Sequence, residues 1–338
     1  MPDLDFENII RHTQKSELHA HLGGSCSIAT LCSFASDIAD RPLSTLSKSL
    51  ADRICYDPII GNGIDTYLKR FPATEMLVYR KSNLARVAYE LIETCASEGI
   101  VNIDVRFSPD IAILWGEFAC TQDAIMEIIT GLEIGSIVHG VKWGLILCCL
   151  SQFGVGRASE HVTTILDIMN SYGLGYRMGI DVAGPMVGFN PPAWKYVYDQ
   201  ANREGLITTV HAGEALDGSH LYEVLRYMNP KRIGHGIRCI ESDDALGYIR
   251  NNNTILEICP SSNIQCIQPI VDYDVMNTIL KLIDWEYFVT INTDNRTISN
   301  TNIVKEYVLI QENCNIGAEC LLKLIDNSNR AWKTCGKV

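Results

Sequence analysis

The 338-residue sequence predicts an α/β protein, a (β/α)8 barrel with a mainly helical insertion after the first strand and extra helices at the C-terminal end. Three observations predict it. Eight short apolar runs alternate with segments of helical periodicity, the pattern of a parallel sheet closed into a barrel. Several runs are almost continuously apolar, such as Leu145-Ile146-Leu147-Cys148-Cys149-Leu150, which is how strands covered on both faces read. Metal-competent side chains stand at the ends of several runs, where a barrel of this kind carries its chemistry. A doubly wound open sheet is the competing arrangement, and no GxGxxG follows the first strand to support it.

The strand candidates, in order, are 15–20, 101–107, 142–149, 176–182, 206–211, 231–235, 254–259 and 288–294. The first long helix is marked by Leu84, Val87, Ala88, Leu91, Ile92 and Cys95 at three-to-four spacing, with Ser82 as its N-cap and Gly99 as its stop. Similar patterns occupy 122–138, 158–171, 193–204, 219–228, 242–251 and 273–284, and two more, 301–312 and 316–331, follow the last strand. The excursion from 22 to 100 separates the first two strands and holds Pro42, Pro58, Gly61, Gly63, Tyr67 and Phe71; a connection of that length reads as a cap over the site. The whole of 1–338 reads as one barrel domain carrying that cap.

A net charge of −12 argues against a nucleic-acid partner and an anionic membrane surface. The thirteen cysteines form no CxxC pair, and Cys148 and Cys149 read as small buried hydrophobes. No secretory signal and no apolar run of spanning length is visible, so the expectation is a reduced, cytoplasmic protein.

His19 and His21 lie two apart on a strand, so both side chains share its inner face. His211 and Asp294 arrive from other strands and complete a set of three imidazoles and one carboxylate, donors that suit Zn²⁺ with a position left open for water. Glu214 follows His211 across a glycine-containing turn, placed for a proton shuttle rather than a ligand. His235, flanked by Gly234 and Gly236, fits a fourth ligand, a base or an orienting group. Asn295 offers an amide donor to a purine nitrogen or caps the next helix. Gly184 offers a bare backbone N–H or a simple turn, Arg106 reads as the anchor of a buried ion pair, and Pro260-Ser261-Ser262-Asn263 reads as a loop beside the site.

These pieces, with His19-Ala20-His21-Leu22, Arg106-Phe107-Ser108-Pro109, Gly179-Ile180-Asp181-Val182-Ala183-Gly184, His211-Ala212-Gly213-Glu214, Arg232-Ile233-Gly234-His235-Gly236, Cys259-Pro260-Ser261-Ser262-Asn263 and Asn292-Thr293-Asp294, make the chain resemble the adenosine deaminase family of metal-dependent amidohydrolases. The resemblance implies one Zn²⁺ on His19, His21, His211 and Asp294, with Glu214 as proton donor and His235 as base and electrostatic stabiliser. It counts Asp294 among the catalytic groups, and it places His21, Gly184 and Asn295 against the substrate. The implied reaction is hydrolysis of a cyclic amidine C–N bond in a small-molecule purine nucleoside, adenosine or 2′-deoxyadenosine. The same chemistry on adenine, AMP or an N6-substituted adenine nucleotide, or a non-catalytic binder on this scaffold, are the alternatives. A binuclear site is disfavoured because no lysine lies in 176–184. Two departures stand out: Gly23 occupies a position where many members carry an acidic residue that contacts ribose, and Asn295 one where many carry a second Asp.

Overall fold

A computed structural model describes residues 6–39, 50–55, 63–115, 117–172, 177–267 and 273–335. Eight strands pair in sequence order: β1 Lys15–His21, β2 Ile100–Phe107, β3 Lys142–Leu150, β4 Met178–Ala183, β5 Ile207–Ala212, β6 Arg232–His235, β7 Ile255–Ile258 and β8 Val289–Ile291. Every pairing is parallel. An isolated bridge between Ala20 and Asp294 brings the chain beyond β8 back against β1, so the barrel is nearly closed. Strands buried on both faces explain the apolar runs: Leu145, Ile146 and Leu147 in β3 and Ile180 and Val182 in β4 are fully buried between barrel and helices.

Helices Thr121–His139, Gly154–Tyr172, Pro191–Glu204, Gly218–Met228, Asp243–Asn252 and Val275–Asp284 separate the strands as expected, and Ile303–Cys314 and Ala318–Thr334 follow β8. Helix Lys81–Ser97 carries the buried stripe of Leu84, Val87, Ala88, Leu91, Ile92 and Cys95. Its start differs from the expectation. Arg80 holds the N-cap position, and Ser82 lies inside the first turn with its hydroxyl donating to the Asn83 side chain at 3.0 Å. Within the insertion, helices Leu22–Ser25, Ile28–Ala39, Ile64–Leu68 and Phe71–Val78 precede it. Pro42, Pro58 and Gly61 lie outside the described residues.

Two further differences bear on the site. Pro260-Ser261-Ser262-Asn263 is not a loop but the first turn of helix Pro260–Ile267, with proline in the position where its missing N–H costs nothing. β8 ends at Ile291 rather than 294, because Asp294 takes a left-handed backbone, φ 60°, that no strand continues through.

Candidate active site and metal centre

Four donors converge at the C-terminal end of the barrel. His19 Nε2 lies 3.2 Å from His21 Nε2, which in turn lies 3.1 Å from His211 Nε2. Asp294 Oδ1 is 3.5 Å from His19 Nε2 and 3.3 Å from His21 Nε2. Four ligands about 2.1 Å from a common centre stand about 3.4 Å apart in a tetrahedron. The observed spacings match that, so the donor set fits a tetrahedral metal ion.

The outer nitrogens are tied down by carboxylates. Glu257 Oε2 is 3.2 Å from His19 Nδ1, and Asp181 Oδ2 is 2.9 Å from His211 Nδ1. Each carboxylate draws the ring proton to Nδ1 and leaves the Nε2 lone pair facing the centre. Arg106 bridges both carboxylates from below, as its expected ion-pair role requires, and Arg232 Nε sits 2.9 Å from the second oxygen of Glu257. Burial opposes charge on Asp181, but His211 and Arg106 hold its carboxyl well below the usual range.

Asp294 is fixed from every side. Its N–H donates to His19 O and its carbonyl accepts from the His21 N–H, both at 2.8 Å. Ser262 Oγ and Asn295 Nδ2 donate to its two oxygens, each at 2.7 Å. Buried Glu17 accepts from the Thr293 N–H and hydroxyl, both at 3.1 Å, and so holds the turn into the left-handed residue. Within the site His235 is another such residue, φ 64°, followed by Gly236 at φ 67°. Strained non-glycine backbone at two chemically important positions is the pattern of a pre-organised site.

His235 stands beside the centre rather than in it. One donor atom each of His19, His211, His235 and Asp294 falls within 4.8 Å of the others. The Nδ1 of His235, however, accepts from Asn263 Nδ2 at 2.9 Å, and its Nε2 faces Glu214 Oε2 at 3.5 Å. Asn263 Oδ1 accepts the Cys259 N–H at 3.3 Å, which fixes the amide and places the ring proton on Nε2. Burial, with His19 next, keeps this imidazole well below its ordinary value and therefore neutral. His21 is the better fourth donor.

Glu214 follows β5 through Gly213, φ 66°, where an added Cβ would meet Leu221 at 2.9 Å and the Gly236 backbone at 3.1 Å. Burial, reinforced by Asp294, pushes its carboxyl up to about 8, so it carries a proton at neutral pH. Gly184, φ 87°, lies in the wall. Asn295 lies there too; one amide N–H is spent on Asp294, and its Oδ1 has no hydrogen-bond partner among the described residues. It caps no helix, since the next begins at Ile303.

The cavity over the donors measures about 330 Å³ and gathers His21, Gly184, Glu214, His235, Asp294 and Asn295 from the barrel, with Tyr67, Phe71, Glu75 and Tyr79 from the insertion. That volume suits a small molecule. All the expected site residues meet here. Asp181, Glu257, Ser262 and Asn263 were not assigned roles from sequence; the one signal was a carboxylate within each of two otherwise apolar strands, Asp181 in β4 and Glu257 in β7.

A family model described as adenosine deaminase matches residues 14–332. The adenosine deaminase of Clostridium perfringens (strain SM101 / Type A) is 32% identical over 322 residues, 94% of this chain and 93% of its own length. Among solved structures, the adenine deaminase from Arthrobacter aurescens superposes with a TM-score of 0.81 at 20% identity, covering 94% of this chain and 93% of its own. An amidohydrolase from Burkholderia ambifaria, with bound Zn, also has a TM-score of 0.81, at 17% identity over 98% of this chain and 89% of its own.

Proposed function

The chain belongs to the adenosine deaminase family of hydrolytic deaminases, and we propose that it converts adenosine and 2′-deoxyadenosine to their 6-oxo nucleosides and ammonia with one zinc ion per chain. The observation that carries the reading is Glu214: a buried carboxyl, protonated near neutrality, facing His235 in the wall of the cavity that holds the donor set.

Three imidazoles and a carboxylate are a borderline-soft donor set that favours zinc over magnesium or calcium. Zinc held by His19, His21, His211 and Asp294 would polarise the attacking water and bring its pKa toward about 7. The remaining work falls to side chains. Water adding at the purine C6 pushes an electron pair onto N1, which must gain a proton; Glu214 supplies it. His235, neutral with its proton on Nε2, stabilises the charge that develops on the incoming oxygen. Asp294, whose ionised form the surrounding histidines favour despite burial, takes the water's proton in place of His235, the base expected from the sequence, whose Nε2 already carries a proton. The C6–O bond forms; the amino group takes that proton and leaves as ammonia as the C6–N bond breaks, and the added hydroxyl returns its remaining proton to Glu214 as the 6-oxo group forms. The second N–H of Asn295 is free to meet N7, and Gly184 presents backbone to the ring.

Adenine, AMP and N6-substituted adenines share this chemistry and compete as substrates. A screen of adenosine, 2′-deoxyadenosine, adenine, AMP and N6-methyladenosine, read as ammonia release from the first four and methylamine release from the last, tests the reading. We expect the two nucleosides to have the highest kcat/KM; adenine or AMP exceeding both would overturn the nucleoside assignment.

A further inference from the structure

Gly23 lines the cavity without a side chain, and the space one would need is already filled. A Cβ on Gly23 would lie 3.0 Å from both Cε2 and the hydroxyl of Tyr79. Tyr79 is buried and stacked on Phe107, ring centroids 5.6 Å apart. Its N–H donates to Glu75 O at 2.9 Å, closing the last turn of helix Phe71–Val78, so Glu75 and Tyr79 sit one turn apart on the cavity wall.

Glu75 is half-buried beside Phe71 and Pro72, and its carboxyl makes no hydrogen bond or ion pair with any described residue. Burial pushes it up to about 7. An acceptor withdrawn from water without a donor costs stability unless a ligand brings one. No lysine or arginine lines the cavity among the described residues. Ser108 Oγ, Asn295 Oδ1 and both ring nitrogens of His220 also lack hydrogen-bond partners on this wall among the described residues, and burial lowers the His220 pKa.

We propose that Glu75 accepts a hydrogen bond from the 3′- or 5′-hydroxyl of the nucleoside while Tyr79 seats the sugar over Gly23, so that the pocket selects uncharged nucleosides and rejects 5′-phosphates. The inference rests on the deaminase reading of the same site. A phosphate dianion brought into this wall would meet a carboxylate and no compensating cation, and would lose its hydration. The sugar-reading group lies on the cap rather than at the end of β1, because Tyr79 occupies the volume a side chain at 23 would need.

The test compares adenosine, 3′-deoxyadenosine, 5′-deoxyadenosine and AMP on wild type, Glu75→Leu, Glu75→Gln and His220→Ala, with zinc content and melting temperature as controls. Wild type should favour adenosine about tenfold over one deoxy analogue and at least about a hundredfold over AMP. Glu75→Leu should lower kcat/KM for adenosine about tenfold, through KM rather than kcat, and bring its ratio to that analogue close to one. Glu75→Gln, which keeps an acceptor and removes the charge, should retain much of the sugar preference and relax the rejection of AMP. Ratios unchanged by Glu75→Leu, or collapsed instead by His220→Ala, would overturn the Glu75 assignment alone. Ammonia release from none of these compounds would overturn the deaminase reading and this inference with it.

Discussion

His211 Nδ1 and Asp181 Oδ2 stand 2.9 Å apart beneath the donor set, fully shielded on the carboxylate side. Asp181 is itself held by Arg106 Nε at 2.9 Å, so the imidazole is aimed by a chain of charge that starts in the barrel interior. The orientation of the ring, and hence of its Nε2 lone pair, depends on that carboxylate.

Asp181→Asn keeps the shape and weakens the pull on the ring proton. Zinc affinity should fall roughly 10–100-fold, read by competition with a chromogenic chelator. Unchanged affinity would show that His211 is oriented by packing alone.

Glu214→Gln removes the transferable proton while preserving volume. We expect kcat to fall about 10²–10⁴-fold with zinc content unchanged. Because the acid form is the working one, wild-type activity should decline as pH rises through about 8, the value burial sets for this carboxyl. Normal turnover by the variant would remove Glu214 from the mechanism.

Asn295→Leu deletes the amide that bonds Asp294 and faces the cavity. If its second N–H meets N7, adenosine should lose about 1–3 kcal/mol of binding while 7-deazaadenosine, which lacks that acceptor, loses much less. Equal losses measured by inhibition or KM would contradict the N7 contact.

Stability should peak on the acid side of neutrality. Burial opposes charge on Glu257 and Asp104, but Arg106 and Arg232 hold the first well below its usual range, and Arg177 and Arg232 lower the second. Depressed carboxyls contribute stability above their unfolded values of about 4, and that contribution is lost as pH falls below them. Buried Glu17 and Glu306 are pushed the other way, to about 7, so the native state binds protons the unfolded chain does not and loses stability as pH rises from about 4 to 7. Melting temperatures of the metal-free protein should therefore be highest near pH 4–5 and fall towards pH 7; a monotonic rise to pH 8 would contradict the balance.

The barrel was legible because β3 through β7 are buried on both faces and the helices between them keep a clear apolar stripe. The ligands were legible because His19 and His21 lie two apart on β1 and His211 lies on β5. What escaped depends on contacts between distant segments. The turn-like composition of Pro260-Ser261-Ser262-Asn263 hid a helix whose start is secured by Glu306 accepting the Ser261 N–H at 2.9 Å, from 45 residues away. The end of β8 was misplaced because Asp294 is bent into a left-handed turn by Glu17 and by its bonds to His19 and His21. Asn263 carried no sign that its amide fixes the tautomer of His235, and Glu75 gained meaning only once Tyr79 was seen over Gly23.

The central claim is a zinc ion held by His19, His21, His211 and Asp294 and required for deamination. Its most direct test is to strip the metal with a chelator, measure ammonia release from adenosine, and add zinc back in steps. The account predicts one zinc per chain before stripping, loss of activity with the metal, and full recovery at one equivalent. Undiminished deamination by metal-free protein, or by His211→Ala, would contradict it.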